Sequence, residues 1–450
     1  MKKRKRKNKK KAKLVINKQK IFSFISFVFI MVCIFWYGGR TIYFYLDSKK
    51  TIEKQNDTLA KNIITTNLNT NNFKKINNNY YFQNDTNKNY LIYSNIIWRI
   101  IKVTNNKDIV LIADDTITNL AYGKNKKYHN SYLIKWLNKD KEDYTGILEN
   151  NLNNKTKYLT KTETCIDNIS NIKKITCNKT NKNNYISLLS INDYINTGAE
   201  KSFINNEKYN YLANTKGSKI WYIDDNGKLN SNNGEVIYGI KPVITLKNKI
   251  KFISGDGTEN NPYIVEKETK KFGSYVKLDE DIWRIYEDND ENYKLVLNDY
   301  IKVDDEKLEY IYSNDNFYHN DTTYGSLAHY LNHKYLYSLS YNNIIESAKY
   351  HNSYYGKDNN YDYSSVMNTT IDTKVGLLSI GDPIINNSLD NYFILTGPEK
   401  DTDEIYLIKK DSTLETAYTT DEAYVVPTIT ISKSILTQGK GTSTDPYRTE

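Results

Sequence analysis

Apolar and polar positions alternate along two separate parts of the chain, and both parts predict the same element. Tyr90 to Lys102 alternates and is followed, after a polar turn, by the apolar run Asp108 to Ala113. This pattern predicts a β-hairpin. Tyr275 to Tyr286 and Tyr293 to Leu297 repeat it about 185 residues later and predict a second hairpin.

The two hairpins belong to a longer repeat. Ile97-Trp98-Arg99-Ile100 returns as Ile282-Trp283-Arg284-Ile285, and Trp98 to Pro242 and Trp283 to Pro427 are each 144 residues apart. The other shared motifs, in order, are Trp136-Leu137-Asn138 with Tyr330-Leu331-Asn332, Leu188-Leu189-Ser190 with Leu377-Leu378-Ser379, and Gly257 to Tyr263 with Gly441 to Tyr447. The repeat unit of about 185 residues is too long for a solenoid, so we expect two copies of one fold, at 80–266 and 270–450. Both tryptophans are assigned to the core, and Arg99 and Arg284 to its edge.

The N-terminus predicts a membrane anchor. Residues 1–20 are basic, Ile21 to Gly39 is long and apolar enough to cross a bilayer, and 40–79 is polar and reads as a stalk. A cleaved signal peptide expects a shorter apolar core, and a lipoprotein expects a small residue before its cysteine, whereas Cys33 follows Met-Val. The basic tail would stay in the cytoplasm and place the two copies outside a bacterial cell membrane.

The net charge of +10 does not predict a nucleic-acid partner. Twelve basic residues and no acid fall within 1–20, which leaves 51 basic against 53 acidic residues in the rest of the chain. Affinity for phosphate backbones requires a basic surface on the folded part. Nucleic acid is therefore excluded as a partner.

Cys165 and Cys177 lie twelve residues apart in a polar segment. In an oxidising compartment a disulfide here would stabilise the fold by about 2 to 4 kcal/mol. Free thiols, or half of a metal site without further ligands nearby, are the alternatives.

Two other motifs suggest chemistry but favour structural roles. Ser190 can cap a helix over Ile191 to Asn196 that Gly198 ends, and it lacks the Gly-x-Ser-x-Gly frame of a catalytic serine. Gly255-Asp256-Gly257-Thr258 lacks the acidic spacing of a calcium loop and predicts a solvated turn.

His329 and His333 have the i, i+4 spacing of metal ligands on a helix. Leu327, Tyr330 and Leu331 define the apolar face of that helix, so both histidines are expected on the opposite, solvated side. The matching positions in the first copy are Lys135 and Lys139. No metal and no cofactor is predicted.

The loop from Tyr350 to Tyr363 is the candidate ligand-binding loop. Tyr350, His351, Tyr354 and Tyr355 combine flat apolar rings with hydrogen-bonding groups, which suits recognition of a glycan or protein.

The chain resembles an uncharacterised extracytoplasmic repeat domain of low-GC Gram-positive surface proteins. The matching residues are Tyr81-Phe82, Asn89-Tyr90, Trp98-Arg99-Ile100, the Cys165 and Cys177 pair, Leu188-Leu189-Ser190, Tyr238 to Leu246 and Gly255 to Tyr263. The resemblance implies an α+β, C-type-lectin-like fold similar to formylglycine-generating enzymes, in two tandem copies. This chain departs from the family in having Lys241 and Val426 where the family usually places arginine.

These observations predict a membrane-anchored extracytoplasmic binding protein with a cell-wall or host glycan or protein as partner and the bilayer contacted through Ile21 to Gly39. A structural or envelope-assembly protein is the alternative, and an enzyme is not expected.

Overall fold

The computed structural model describes Arg40 and residues 57–449, apart from 125–126, 141–144, 174, 268–270, 315–322, 353, 357–360, 362, 384–388, 400–401 and 412. We use copy 1 for residues 58–267 and copy 2 for residues 271–449.

Copy 1 is built from two sheets. Its strands are β1 (Phe73–Ile76), β2 (Asn79–Phe82), β3 (Tyr90–Tyr93), β4 (Ile96–Val103), β5 (Ile109–Ala113), β6 (Thr118–Ala121), β7 (Leu159–Thr160), β8 (Thr164–Cys165), β9 (Thr180–Asn181), β10 (Ile186–Leu188), β11 (Asn210–Lys216), β12 (Lys219–Ile223), β13 (Leu229–Asn232), β14 (Ile237–Ile240), β15 (Pro242–Leu246) and β16 (Tyr263–Ile264). The first sheet has the order β1-β2-β4-β5-β15-β10, and the second has the order β13-β12-β11-β14-β6.

Copy 2 repeats this arrangement. Its strands are β17 (Tyr275–Leu278), β18 (Asp281–Asp288), β19 (Asn292–Leu297), β20 (Lys302–Val303), β21 (Glu306–Lys307), β22 (Glu309–Ile311), β23 (Ile345–Glu346), β24 (Ala348–His351), β25 (Thr370–Thr373), β26 (Val375–Leu377), β27 (Tyr392–Phe393), β28 (Glu404–Ile408), β29 (Leu414–Tyr418), β30 (Glu422–Tyr424) and β31 (Pro427–Ser432). Its second sheet, β29-β28-β27-β30-β22, has the same order as β13-β12-β11-β14-β6, and β31 takes the place of β15 in its first sheet.

The helices are short. They are α1 (Leu59–Asn67), α2 (Tyr132–Leu137), α3 (Ile147–Asn151), α4 (Lys155–Tyr158), α5 (Ile191–Asn196), α6 (Leu327–His329) and α7 (Leu336–Ser338), with a π-helical stretch (Tyr330–Tyr335) joining the last two and 3₁₀ turns at Tyr128–Asn130, Ala199–Lys201, Asn342–Ile344, Tyr363–Asn368 and Lys433–Ile435. The described chain is therefore a β-rich fold. The predicted α+β class, with two C-type-lectin-like domains behind a membrane helix, is wrong because most segments between the hairpins form short strands and turns.

The membrane prediction also needs correction. The described residues include no helix with the length and apolar character needed to cross a bilayer. The predicted anchor at Ile21 to Gly39 and the basic tail at 1–20 lie outside the described residues. The single-pass anchor and the cell-membrane localisation derived from it therefore have no support, and we do not retain them.

Residues 58–79, predicted as part of a stalk, belong to copy 1. Leu59 and Ile63 on α1 are fully buried, and β1 pairs with β2 through a turn at Asn77 and Asn78. Both turn residues have positive φ, which asparagine adopts more readily than most residues. Two asparagines of this asparagine-rich segment thus form a hairpin turn.

One asparagine in each copy fixes the helix to the first sheet. Asn138, at the end of α2, donates its amide to Ile186 O (2.9 Å) and accepts from Ile186 N (3.0 Å). Asn332 makes the same pair of bonds with Val375, both at 3.0 Å. This explains why the Leu-Asn dipeptide recurs in both copies, since a buried backbone group needs a partner.

The glycine-rich turn recurs for a steric reason. Gly255 and Gly439 have φ of +98° and +85°, and a Cβ at either position would lie 2.0 Å from the carbonyl oxygen of Pro262 or Pro446. Only glycine fits such a close backbone approach. Asp256 accepts hydrogen bonds from the Thr258 backbone and hydroxyl within the turn, and these bonds lower its pKa. The predicted solvated turn is confirmed.

The core of copy 1 extends into copy 2, while most buried residues of copy 2, Trp283 among them, form a second cluster. Tyr363, Leu378 and Val426 of copy 2 belong to the same continuous cluster of buried side chains as the core of copy 1. Polar contacts cross the boundary as well, because the Trp136 indole donates to Gly381 O (3.0 Å). Thr58–Glu450 therefore forms a single compact unit.

Candidate functional site

A polar cavity of about 880 Å³ lies where copy 1 meets the β28–β29 turn of copy 2. We call it the inter-copy groove. Its lining residues are Asp85, Arg99, Glu200, Lys201, Ser202, Phe203, Asn205, Asn206, Glu207, Lys208, Asp225, Asn226, Lys410 and Asp411. Most of them come from one loop, residues 200–208, between α5 and β11.

Arg99 forms one wall of the groove and is held rigidly. Its Nε donates to Asn89 Oδ1 at 2.7 Å, and one terminal nitrogen lies 3.3 Å from Asp114. The guanidinium carbon lies 3.8 Å from the centre of the Tyr90 ring and 4.9 Å from that of Phe203. Stacking and charge-assisted bonds leave this side chain, which is 6% exposed, little freedom to move.

An ion pair orders the end of the 200–208 loop. The ammonium of Lys208, which is buried, lies 2.8 and 2.9 Å from the two carboxylate oxygens of Asp115. Burial lowers the pKa of Lys208, although Asp115 opposes this shift. The Asn206 amide also donates to Asp115, at 3.0 Å. The amide oxygen of Asn206 is buried and has no hydrogen-bond partner among the described residues, although other atoms of the residue line the groove.

Lys241 stabilises the same 200–208 loop through a buried hydrogen bond. Its ammonium donates to Ile204 O at 2.9 Å, and burial lowers the pKa of Lys241 to about 8 against the opposing charges of Asp114 and Asp115. The sequence marks Lys241 only as a departure from the family pattern. Its structural role depends on a contact 37 residues away, which no local pattern reveals.

Copy 2 closes the groove. The carbonyl of Asp411 accepts from Tyr209 N at 3.0 Å and so joins the β28–β29 turn to the start of β11. The Tyr209 ring stacks on Tyr238 with centroids 5.1 Å apart, and Tyr222 lies 4.8 Å from Tyr238. These half-buried rings form an aromatic face next to the groove. Burial, and then the Asp225 carboxylate, raise the pKa of the Tyr209 hydroxyl.

The predicted binding-loop residues lie elsewhere, and none of them lines the groove. Tyr350 and Tyr355 are buried, at 2% and 1% exposure. The Tyr350 hydroxyl bonds Thr430 at 3.1 Å, and the Tyr355 hydroxyl accepts from Ala121 N of copy 1 at 3.2 Å. His351 and Tyr354 are half-buried. Two of the four residues thus pack in the core, and the rest of this loop at 357–360 lies outside the described residues.

The disulfide between Cys165 and Cys177 is present, with Cα atoms 5.7 Å apart. It closes the loop between β8 and β9. The two sulfurs and Asp167 are the only group of three or more metal-ligating side chains among the described residues. Because both sulfurs are bonded to each other, the predicted loop staple is confirmed and the half metal site is not.

Replacing Cys177 with serine should lower the free energy of unfolding by about 2 to 3 kcal/mol, because the open loop gains entropy in the unfolded chain. Urea unfolding with and without reductant measures this, and the Cys177→Ser variant should no longer respond to reductant. Cys33→Ser is the matched control and should behave as the wild type. Equal reductant sensitivity of Cys177→Ser and wild type would contradict the staple.

Ser190 is a helix cap, as predicted. Its hydroxyl accepts from Asp193 N at 3.1 Å at the start of α5, and Gly198 follows the helix with φ of +112°. The Ser190 hydroxyl thus pairs with a backbone N–H group in the first turn of α5, which has no partner within the helix.

Comparisons of the chain with protein-family models, with curated proteins and with solved structures gave no match.

Proposed function

We propose that this chain is a binding protein that holds a neutral, hydroxyl-rich glycan in the inter-copy groove. The observation that carries the proposal is a cavity of about 880 Å³ whose lining mixes acidic, basic and amide side chains, Asn206 among them.

The charges that line the groove favour a neutral ligand. Five carboxylates and four cationic side chains are interspersed along its walls. Arg99 and Lys208 are already paired with Asp114 and Asp115. A balanced lining of this kind offers many donors and acceptors but little net attraction for an anion or a cation. Sugar hydroxyls both donate and accept, so they can match such a surface.

The aromatic face next to the groove supports the same ligand class. Tyr209 and Tyr238 stack at 5.1 Å and remain half-buried. Aromatic rings give a flat apolar surface on which the C–H face of a sugar can pack. The resemblance to the Gram-positive repeat domain stays a prediction and is not needed for this argument.

Asn206→Ala should weaken glycan binding about tenfold, because it removes one amide from the lining of the groove, and a hydrogen bond to such a group is worth about 1 to 1.5 kcal/mol. The test is a glycan array with the full chain, followed by calorimetric titration of the best-bound oligosaccharide. Lys410→Ala should also weaken glycan binding, since Lys410 is a residue of copy 2 that lines the groove.

The matched control is Asn106→Ala, an exposed asparagine in the β4–β5 turn outside the groove. This variant should bind as the wild type does. If no glycan binds the full chain, or if Asn206→Ala binds with unchanged affinity, the proposal is wrong. The packing of the copy 1 core against residues of copy 2 would then favour a structural role.

A further inference from the structure

The solvent side of the helix in copy 2 carries two histidines in direct contact. The rings of His329 and His333 stack with centroids 4.5 Å apart and planes inclined by 24°. His333 is exposed and His329 half-buried. The Tyr324 ring, which is 87% exposed, lies edge-on to His329 at 5.2 Å. The two imidazoles are thus paired at the surface.

The helix that carries them is a rigid platform. Ser326 caps its start by accepting from His329 N at 3.1 Å. Leu327 and Leu331 on the opposite face are fully buried. The two bonds between Asn332 and Val375 fix the helix to the first sheet from a position next to His333. The backbone of both histidines is therefore held in place before any ligand arrives.

Copy 1 shows that this pair is not required by the fold. Its helix α2 is a regular α-helix that ends at Leu137, and the residues that match the two histidines are Lys135 on the helix and Lys139 just after its end. In copy 2 the helix changes to a π-helical stretch at Tyr330, directly after His329. Short π-helical segments are rare and are frequent at functional sites. Only copy 2 combines this irregularity with two histidines.

We propose that His329 and His333 form a surface site for a divalent transition metal ion, Zn²⁺, Cu²⁺ or Ni²⁺, with water in the remaining coordination positions. Neutral imidazole is a preferred ligand of these ions, and two histidines at i, i+4 offer both nitrogens from one helix face. This site is independent of the inter-copy groove and of its ligand.

The geometry is compatible with coordination. Metal–nitrogen bonds of about 2.0 to 2.1 Å place the two ligating nitrogens about 3 to 4 Å apart. The centroids of the two imidazole rings are 4.5 Å apart, so their nitrogens lie in the range of this separation without any shift of the helix. His333 is exposed, so the ion has an open path from solvent.

The test is calorimetric titration of the full chain with Zn²⁺ alone, repeated for His329→Ala and His333→Ala. Each substitution should weaken Zn²⁺ binding by at least about tenfold. Removing a residue that only hydrogen-bonds to a metal ligand already costs about that much, and these substitutions remove a ligand itself. Electron paramagnetic resonance of the Cu²⁺-loaded chain should show two nitrogen ligands in the wild type. That signature should be absent from the double variant with His329→Lys and His333→Lys, which copies the residues of copy 1.

His129→Ala is the matched control, because it removes an exposed histidine of copy 1 and should leave Zn²⁺ affinity unchanged. Both test residues lie on the solvent side, so the variants should unfold at the wild-type midpoint, and circular dichroism checks this. Unchanged affinity in His333→Ala, an equal loss in His129→Ala, or a Cu²⁺ spectrum without two nitrogens would each overturn the proposal.

Discussion

Replacing Trp98 with alanine will lower the free energy of unfolding by about 3 to 5 kcal/mol, as expected for truncation of a large core side chain. Trp98 is fully buried on β4, and its indole nitrogen donates to Tyr93 O at 2.9 Å. Truncation would leave a cavity and remove the partner of a buried carbonyl. Urea unfolding followed by tyrosine and tryptophan fluorescence measures the loss.

Ile97 is the matched control for this prediction. It precedes Trp98 on the same strand, but its side chain points to the other face of the sheet and is 48% exposed. Ile97→Ala should change stability by less than about 1 kcal/mol, as surface substitutions usually do. Equal effects of the two substitutions would show that Trp98 is not part of the core.

Asp382→Asn will stabilise the protein at pH 8 by up to about 4 kcal/mol and change its stability little at pH 4. Burial raises the pKa of Asp382 to about 7 from an ordinary value of 3.8, although a hydrogen bond from Ser379 N (2.8 Å) favours the ionised form. One unit of pKa shift corresponds to about 1.4 kcal/mol. Asparagine can accept the same bond without carrying a charge.

The sign follows from linkage between proton binding and folding. The folded protein binds a proton at Asp382 more tightly than the unfolded chain does, so this carboxyl stabilises the fold fully below pH 4. That stabilisation is lost as the pH rises to about 7. The wild type should therefore lose stability over this range relative to Asp382→Asn, which urea unfolding at pH 4 and pH 8 compares.

The equivalent residue in copy 1 should respond in the opposite direction. Asp193 follows its capping serine by three positions, as Asp382 follows Ser379, but it forms an ion pair with Lys102 at 2.5 Å. The position that matches Lys102 in copy 2 is Glu287. Asp193→Asn should destabilise the protein because it leaves a buried ammonium without its counter-charge. Stabilisation at pH 8 by both substitutions, or by neither, would contradict this account.

Local patterns predicted the elements that depend on neighbouring residues. The alternating segments form the hairpins of both copies, and Ser190 and Gly198 bound α5. One local signal was overlooked: the predicted strand from Tyr90 to Lys102 is divided by a tight turn at Ser94 and Asn95, both with positive φ. Asparagine in such a turn is a recognisable signal.

The polar strands of the second sheets could not be predicted in this way. β13 and β29 are short and contain no buried residue, so they carry no clear alternation. They form strands because β12 and β28 present unpaired backbone groups to them. The tertiary structure supplies these pairing strands, and pairing with them outweighs the weak strand propensity of the local sequence.

The tyrosines illustrate the same limit for the candidate site. A cluster of Tyr, His and Asn around Tyr350 has the composition of a recognition loop, yet Tyr350 and Tyr355 are core residues. The groove was missed because its residues come from β4, the 200–208 loop and other separate turns of copy 1, and from a turn of copy 2. A residue type indicates what a side chain can do, but burial decides which of its properties is used.

The sequence by itself determined the repeat, the hairpins, the cap at Ser190 and the cysteine pair, because each depends on spacing within a short segment. Only the tertiary structure decided that the core of copy 1 extends into copy 2 and that a groove forms between the copies. Those features depend on contacts such as Trp136 to Gly381 and Thr118 to Asp382, which join residues 245 and 264 positions apart. Such contacts form only when both copies are folded, since their stability comes from burying both surfaces at once.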